Sequence, residues 1–201
     1  MILVRHGATE WTEAGRYQGN TSDIPLSASG RLQARHTAAA LEPLRVAAVV
    51  CSPFLRAVET AACIAAPHGL FAAPDAAFRE VSFGDWEGLT SSEAAARDPE
   101  LDERWRNGEA MARPPGGETL HEAAERAIPA LEALVARHAG EKVVLVTHNW
   151  IVRLVVCHAL GVGLSTVARM QCRPGSITIV DVRSGEYVVR LLNATSHLQK
   201  P

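Results

Sequence analysis

The sequence predicts an α/β fold, a three-layer α/β/α sandwich around a mostly parallel mixed central sheet. Short apolar runs that end abruptly in polar residues alternate along the chain with longer segments of helical periodicity. Continuous apolar runs of this kind suit strands that are covered on both faces. With 201 residues, of which 47% are hydrophobic and 21% charged, the chain can bury its own core, so we expect a single domain over residues 1–201.

Three apolar runs are candidates for buried strands, and each ends in polar residues. They cover residues 2–4, 46–51 and 142–147. Further along the chain, residues 176–182 and 187–192 flank the polar segment Arg183, Ser184, Gly185 and Glu186. This pattern is typical of a hairpin, which would add strands at one edge and make the sheet mixed.

Four segments carry apolar residues at helical spacing and are the predicted helices. They cover residues 27–44, 55–66, 119–138 and 151–160. The third has the clearest start, because Thr119 and Glu122 form a capping-box pair. Pro129 lies inside that helix and is expected to kink or loosen it. Ligands of such α/β domains bind outside the carboxyl ends of the strands, so the polar residues there are the candidate site.

Composition excludes several classes of function. A net charge of −2 and a pI near 6.4 argue against a general nucleic-acid surface. The four cysteines are far apart and lack a C-x-x-C pair, so we expect neither a metal nor a cofactor, and a reduced environment. The chain begins with a strand-like segment, and no run approaches the ~18 apolar residues of a membrane span. We therefore expect a cytoplasmic protein that binds no membrane.

Similar polar residues follow all three predicted buried strands. They are Arg5 and His6, then Ser52 and Arg56, then Thr147, His148 and Asn149. Arginine offers a planar, permanently charged fork that matches phosphate oxygens, and histidine offers a nucleophilic nitrogen or a hydrogen-bond donor. A lone histidine or arginine at a strand end is more often a packing or surface residue. The coincidence at three strand ends favours phosphoryl transfer without a metal.

Seven sequence blocks extend this pattern over most of the chain. They are LVRHGATEW at 3–11, GRYQG at 15–19, PLSASGRLQA at 25–34, SPFLRAVETA at 52–61, FREVSFGDWEG at 78–88, GGET at 116–119 and LVTHNWIVR at 145–153. In this order and at this spacing, the blocks resemble the histidine phosphatase superfamily. That superfamily includes cofactor-dependent phosphoglycerate mutases and many small-molecule phosphatases. The resemblance implies a phosphoglycerate mutase-like fold.

The resemblance also implies a catalytic role for five residues. His6 would be transiently phosphorylated, Arg5, Arg56 and His148 would bind the phosphate, and Glu80 would be the proton donor. The charges of the two arginines should lower the pKa of His6 and keep its imidazole neutral for attack. Glu80 lies in a loop rich in aromatic residues, where partial burial and a nearby phosphate should raise its pKa enough to retain a proton.

We assign substrate binding to four further positions, Thr12, Gln18, Gly19 and Asn149. Two of them depart from the superfamily's common pattern. Thr12 stands where an asparagine usually helps to hold the phosphate, and Asn149 follows His148 where glycine is frequent. Asn149 still offers its backbone N–H at the expected start of a helix, which favours an anion.

Three functions remain open, and hydrolysis of a small-molecule phosphomonoester is the leading hypothesis. A phosphoglycerate mutase is the first alternative, but mutases resembling this chain carry a long insertion over the site, whereas segment 89–115 is short and would form a small cap. A non-catalytic phosphate-binding module is the second, and the retention of all five catalytic residues argues against it. The substrate stays open, and so does the choice between monomer and homodimer.

Overall fold

The computed structural model describes residues 1–183 and 185–198. Its strands are β1 Ile2–Arg5, β2 Ala48–Cys51, β3 Ala72–Pro74, β4 Val143–Thr147, β5 Ile177–Arg183 and β6 Glu186–Ala194. Its α-helices are α1 Glu10–Glu13, α2 Ala28–Leu41, α3 Leu55–Ala65, α4 Ser91–Arg97, α5 Pro99–Arg106, α6 Leu120–Arg137 and α7 Asn149–Leu160. Ser184, in the predicted hairpin turn, lies outside the described residues.

The strands form one sheet in the order β3-β2-β4-β1-β5-β6. Strands β3, β2, β4 and β1 run parallel, with Leu145 of β4 paired to Leu3 of β1 on one side and to Val50 of β2 on the other. Strand β5 is antiparallel to β1, and β6 is antiparallel to β5. The predicted mostly parallel, mixed sheet with a hairpin at one edge is therefore confirmed.

Helices cover the sheet on both faces, and alternate residues of the central strands accordingly pack in two different cores. Ile2 and Val4 of β1 pack in the core that contains Leu41 of α2 and Ile64 of α3. The residue between them, Leu3, packs in the other core, which contains buried residues of α6 and α7. The continuous apolar runs in the sequence reflect this burial on two faces. The predicted three-layer architecture is confirmed.

Helix α6 begins at the predicted capping box. The Thr119 hydroxyl accepts from the backbone N–H of Glu122 at 3.1 Å, and the Glu122 carboxylate accepts from the backbone N–H of Thr119 at 2.9 Å. The helix continues through Pro129 as a single element to Arg137. Elsewhere the bounds differ by a few residues from those predicted: α2 ends at Leu41 rather than near 44, and α7 begins at Asn149 rather than 151.

Segment 89–115 contains the short helices α4 and α5, which follow the capping residues Thr90 and Asp98. Its buried Trp105 packs edge-on against Phe83 and Trp86, with ring centroids 5.5 and 6.2 Å apart. These contacts attach the segment to the loop that carries Glu80. Within the described residues, none of the helices has the length and apolar character needed to cross a bilayer.

Candidate active site

The carboxyl ends of β1, β2 and β4 lie side by side and bring three polar segments together. The backbone N–H of His6 donates to the carbonyl of Thr147 at 2.9 Å, and that of Ser52 donates to the carbonyl of Val146 at 2.9 Å. The sheet ladder thus extends one residue past each strand. It places His6 and Ser52 on either side of the segment that begins at His148.

His6 is buried, and its Nδ1 lies 2.7 Å from the carbonyl oxygen of Gly7. A carbonyl oxygen can only accept, so Nδ1 carries the ring proton and Nε2 holds a free lone pair. Burial, followed by the charges of Arg56 and Arg5, holds the pKa of His6 well below its usual range. The neutral imidazole is the form that can act as a nucleophile.

Gly7 must be a glycine because its loop packs against the start of α2. A Cβ at Gly7 would lie 2.4 Å from the carbonyl oxygen of Gly30, and a Cβ at Gly30 would lie 1.9 Å from that of Ala8. Two glycines therefore permit backbone to touch backbone behind the histidine. This contact explains why His6 is followed by Gly7 and why Gly30 lies in the first turn of α2.

Arg56, in the first turn of α3, is completely buried. It donates to the carbonyl oxygens of Gly19 at 2.8 Å and Ser22 at 3.2 Å, and its guanidinium carbon lies 4.8 Å from the centre of the Phe54 ring. Burial lowers the pKa of Arg56 to about 10, which leaves it charged at neutral pH. Its Nε has no hydrogen-bond partner among the described residues and is a free donor for an anion.

Arg5 and His148 complete the basic group around His6. Arg5 donates to the carbonyl oxygen of Cys172 at 2.5 Å, which fixes the position of its guanidinium. The His148 ring centroid lies 5.0 Å from that of His6, and its Nε2 lies 2.7 Å from the Ser52 hydroxyl. Burial, with Arg56 second, holds the pKa of His148 well below its usual range. Across residues 1–183 and 185–198, the Nδ1 of this ring contacts no polar partner.

Glu80 is the acidic group of the site and is only 3% exposed. Its carboxylate accepts from the backbone N–H groups of Val81 at 3.0 Å and Trp150 at 3.3 Å. Burial raises the pKa of Glu80 and outweighs these two hydrogen bonds and the charges of Arg5 and Arg56. The carboxyl group therefore holds a proton to a higher pH than an exposed glutamate does.

A cavity of about 300 Å³ opens beside Arg5, His6 and Glu80. Six of the predicted site residues line it: Arg5, His6, Thr12, Gln18, Glu80 and Asn149. The sequence did not assign the remaining wall, which consists of Gly15, Arg16, Tyr17, Phe83, Ser91, Trp150 and Arg153. Three other predicted site residues, Arg56, His148 and Gly19, are not among the described residues that line the cavity.

The predicted substrate-binding residues differ in what they contact. The Thr12 hydroxyl donates to the carbonyl of Thr9 at 3.0 Å, so its proton is used in the cap of α1. Gln18 is buried, and its carbonyl oxygen accepts from the Thr9 hydroxyl at 2.7 Å. Gly19 contacts Arg56 through its backbone carbonyl. Gly19 therefore fixes the position of an arginine, whereas Thr12 and Gln18 form part of the cavity wall.

Arg153 is one of two charged wall residues, with Arg16, that were not predicted from the sequence. It lies in the LVTHNWIVR block, four residues after Asn149, and this spacing places both residues on one face of α7. The sequence therefore held a usable signal, since a helix that starts at the end of β4 directs one face at the site. Tyr17 has a similar signal, because it directly precedes Gln18.

The fold and this cavity define an α/β domain with a pocket at the carboxyl ends of its strands that contains a buried histidine and arginines. Residues 1–195 match the family model described as the histidine phosphatase superfamily (branch 1). The chain belongs to this superfamily, and the family predicted from the sequence is confirmed.

Similar proteins agree with that assignment. The chain is 33% identical over 198 residues to Phosphoserine phosphatase 1 of Hydrogenobacter thermophilus, covering 98% of this chain and 93% of that protein. It is 34% identical over 200 residues to the Bifunctional protein Rv2228c of Mycobacterium tuberculosis. The second match covers 98% of this chain but only 54% of its relative, so the chain spans about half of that protein.

The solved structure of mycobacterial glucosyl-3-phosphoglycerate phosphatase Rv2419c superposes with a TM-score of 0.90. It is 30% identical, and the superposition covers 97% of this chain and 98% of that one. Two of these three proteins are named phosphatases, which agrees with the phosphatase class predicted from the sequence.

Proposed function

We propose that this chain hydrolyses small phosphomonoesters through a phosphohistidine intermediate on His6. The observation that carries the proposal is the pairing of two buried groups at one cavity. His6 has its proton fixed on Nδ1 by the Gly7 carbonyl, and Glu80 is a carboxyl group whose burial favours the protonated form. His6 supplies a nucleophile and Glu80 supplies an acid. Transfer of a phosphoryl group away from an alcohol oxygen requires both.

In the first step, Nε2 of His6 attacks the phosphorus atom, and the bond from phosphorus to the alcohol oxygen breaks. Glu80 gives its proton to that oxygen, so the product leaves as a neutral alcohol rather than an alkoxide. In the second step, a water oxygen attacks the phosphorus, and the bond to Nε2 breaks. Glu80, now a carboxylate, takes a proton from the water and returns to its starting form.

The basic residues stabilise the phosphoryl oxygens in both steps. Arg5 and Arg56 each have a buried Nε without a hydrogen-bond partner among the described residues, and the charges of both lower the pKa of His6. Donors that are already fixed and desolvated cost little reorganisation when charge develops on a transferring phosphoryl group. The carbonyl contacts of both guanidinium groups fix their orientation before substrate arrives.

The experiment compares two substrates with one purified protein. We expect release of inorganic phosphate from p-nitrophenyl phosphate, and little conversion of 3-phosphoglycerate to its isomer in the presence of 2,3-bisphosphoglycerate. Fast isomerisation with little phosphate release would make the protein a mutase. Absence of both activities across a broad panel of phosphomonoesters would leave a phosphate-binding module.

A further inference from the structure

Three arginines line the cavity, and two of them already have a role or an acidic partner. Arg5 is one of the two arginines that lower the pKa of His6, so it belongs to the phosphate position. Arg16 donates to the Gly88 carbonyl at 2.7 Å and to the Glu93 carboxylate at 3.3 Å. The third, Arg153, has no such carboxylate. Within residues 1–183 and 185–198, no Asp or Glu oxygen lies within 4.0 Å of its guanidinium nitrogens.

Arg153 is held in place at the cavity wall rather than extended into solvent. It is half-buried, and its guanidinium carbon lies 4.9 Å from the centre of the Trp150 ring. Its one hydrogen bond, to the carbonyl of Val167, is long at 3.5 Å. Its Nε is buried and meets no acceptor in the described part of the chain. A fixed, partly desolvated cation with a free donor is stabilised when an anion enters the cavity.

The neighbouring wall offers two more polar atoms without partners. Asn149 lies one turn before Arg153 on α7, and its side-chain oxygen is buried and unpaired among the described residues. Gln18 is 7% exposed, and its side-chain nitrogen is likewise unpaired there. Buried polar atoms in native proteins are nearly always satisfied by protein, water or ligand, so these two groups are available to pair with polar atoms of a substrate.

We propose that Arg153 and Asn149 form a subsite for a second anionic group on the alcohol part of the substrate. Arg153 would bind the anion, and the Asn149 oxygen would accept a hydrogen bond from a hydroxyl or ammonium group beside it. This inference rests on the proposed phosphatase function, since it assumes that the phosphate lies at His6. The cavity of about 300 Å³ matches the size of a small-molecule substrate.

The test uses substrates in matched pairs that differ by the second anion. O-phosphoserine is compared with O-phosphoethanolamine, which lacks the carboxylate, and propanediol bisphosphate is compared with its monophosphate. For at least one pair we expect kcat/KM to be about 10- to 100-fold higher for the member that carries the second anionic group, which is the effect expected of one hydrogen bond to a charged group. Preference within the first pair identifies a carboxylate, and preference within the second identifies a phosphate.

The variant Arg153→Met keeps an unbranched apolar stem against Trp150 and removes the charge. We expect its preference within the pair to fall about 10-fold or more, and Arg153→Lys to restore part of it. Arg137→Met, which removes an exposed arginine on α6, is the matched control and should keep the wild-type preference.

Equal kcat/KM values within both pairs for the wild type would overturn the subsite, and so would an unchanged preference in Arg153→Met. Hydrolysis of p-nitrophenyl phosphate without turnover of any paired substrate would also contradict it. If the wild type does not hydrolyse p-nitrophenyl phosphate, that result contradicts the proposed function instead.

Discussion

Arg126 and Glu118 form a two-point ion pair behind Glu80, with Nε to Oε1 and Nη2 to Oε2 both at 2.8 Å. The same guanidinium donates to the carbonyls of Ala77 at 2.7 Å, Arg79 at 2.9 Å and Glu80 at 3.1 Å. Arg126 belongs to α6, and Glu118 belongs to the GGET block. The pair therefore fixes the backbone that carries the proposed proton donor, and it gives the GGET block a positioning role.

Arg126→Met should disturb Glu80 without touching the substrate. Three carbonyls and one carboxylate would lose their donor in a largely buried place, so we expect the free energy of unfolding to fall by about 3 kcal/mol. We also expect kcat/KM for an alkyl phosphate to fall more than kcat/KM for p-nitrophenyl phosphate, because kcat/KM reports transfer to His6 and only the alkyl leaving group needs the proton in that step. Urea unfolding and steady-state kinetics measure the two effects. An equal loss for both substrates would reduce Arg126 to a purely structural role.

Glu80→Gln should separate substrates by their leaving groups. A glutamine cannot donate the required proton, so we expect kcat/KM for alkyl phosphates to fall by about 10²- to 10⁴-fold. The loss for p-nitrophenyl phosphate should be smaller, because p-nitrophenolate leaves without protonation. A loss that is the same across a series of leaving groups would exclude Glu80 as the acid.

The pH dependence of kcat/KM should report the ionisation of Glu80 and His6. Burial raises the pKa of Glu80, so its acid form persists above the usual range and is lost as pH rises through the raised value. Burial and the two arginines lower the pKa of His6, so its neutral form is lost only at low pH. We therefore expect kcat/KM to fall at high pH in the wild type, and Glu80→Gln to remove this fall. An alkaline limb that survives in Glu80→Gln belongs to another group.

Ser52 should set the tautomer of His148. Its hydroxyl oxygen already accepts from the backbone N–H of Phe54 at 3.4 Å, so its proton is free to go to Nε2 of His148 at 2.7 Å. The neutral ring then carries its own proton on Nδ1, where it can donate to phosphate. For Ser52→Ala we expect kcat/KM to fall about 10-fold and the ¹⁵N shifts of His148 to report a changed tautomer. Ser165→Ala is an exposed control, and unchanged shifts in Ser52→Ala would contradict this role.

Gly19→Ala should displace the loop that orients Arg56. A Cβ there would lie 2.2 Å from Oε1 of Glu87 and 2.9 Å from the backbone nitrogen of Phe83. The loop must move, and the Gly19 carbonyl must move with it away from Arg56. We expect kcat/KM to fall by up to about 10²-fold, as for a small displacement of a positioning group.

Gly163→Ala is the matched control for this substitution, because its nearest neighbour, the Ser165 hydroxyl, lies 4.0 Å away. Wild-type kinetics in Gly19→Ala would show that Arg56 does not depend on this carbonyl. Inhibition by inorganic phosphate gives a second readout, and it should weaken in Gly19→Ala alone.

The sequence predicts the main strands and helices well because their residues are buried in simple patterns. Strand β3, Ala72–Pro74, was missed because it is short, mostly exposed and contains a proline, so it lacks an apolar run. The edge of a sheet can be formed by backbone pairing alone, and pairing leaves little trace in composition. In segment 89–115, Thr90 and Glu93 form a capping box that marks the start of α4.

The candidate site likewise contains residues that the sequence predicts and residues that it does not. Arg5, His6 and His148 could be predicted because they lie at the carboxyl ends of buried strands, and parallel strands bring those ends together. Arg153 lies one turn into a helix, so its place at the cavity depends on how α7 packs. The buried network of Arg126 is invisible in sequence, since a backbone carbonyl carries no residue identity.

Direct trapping of the phosphorylated protein tests the central claim. The wild type is mixed with p-nitrophenyl phosphate, quenched in alkali after a short time, digested and analysed by mass spectrometry for phosphorylated peptides. We expect an acid-labile phosphoryl group on the peptide that contains His6, and none in His6→Ala. A phosphoryl group on a different residue, or one that persists in His6→Ala, would contradict the account.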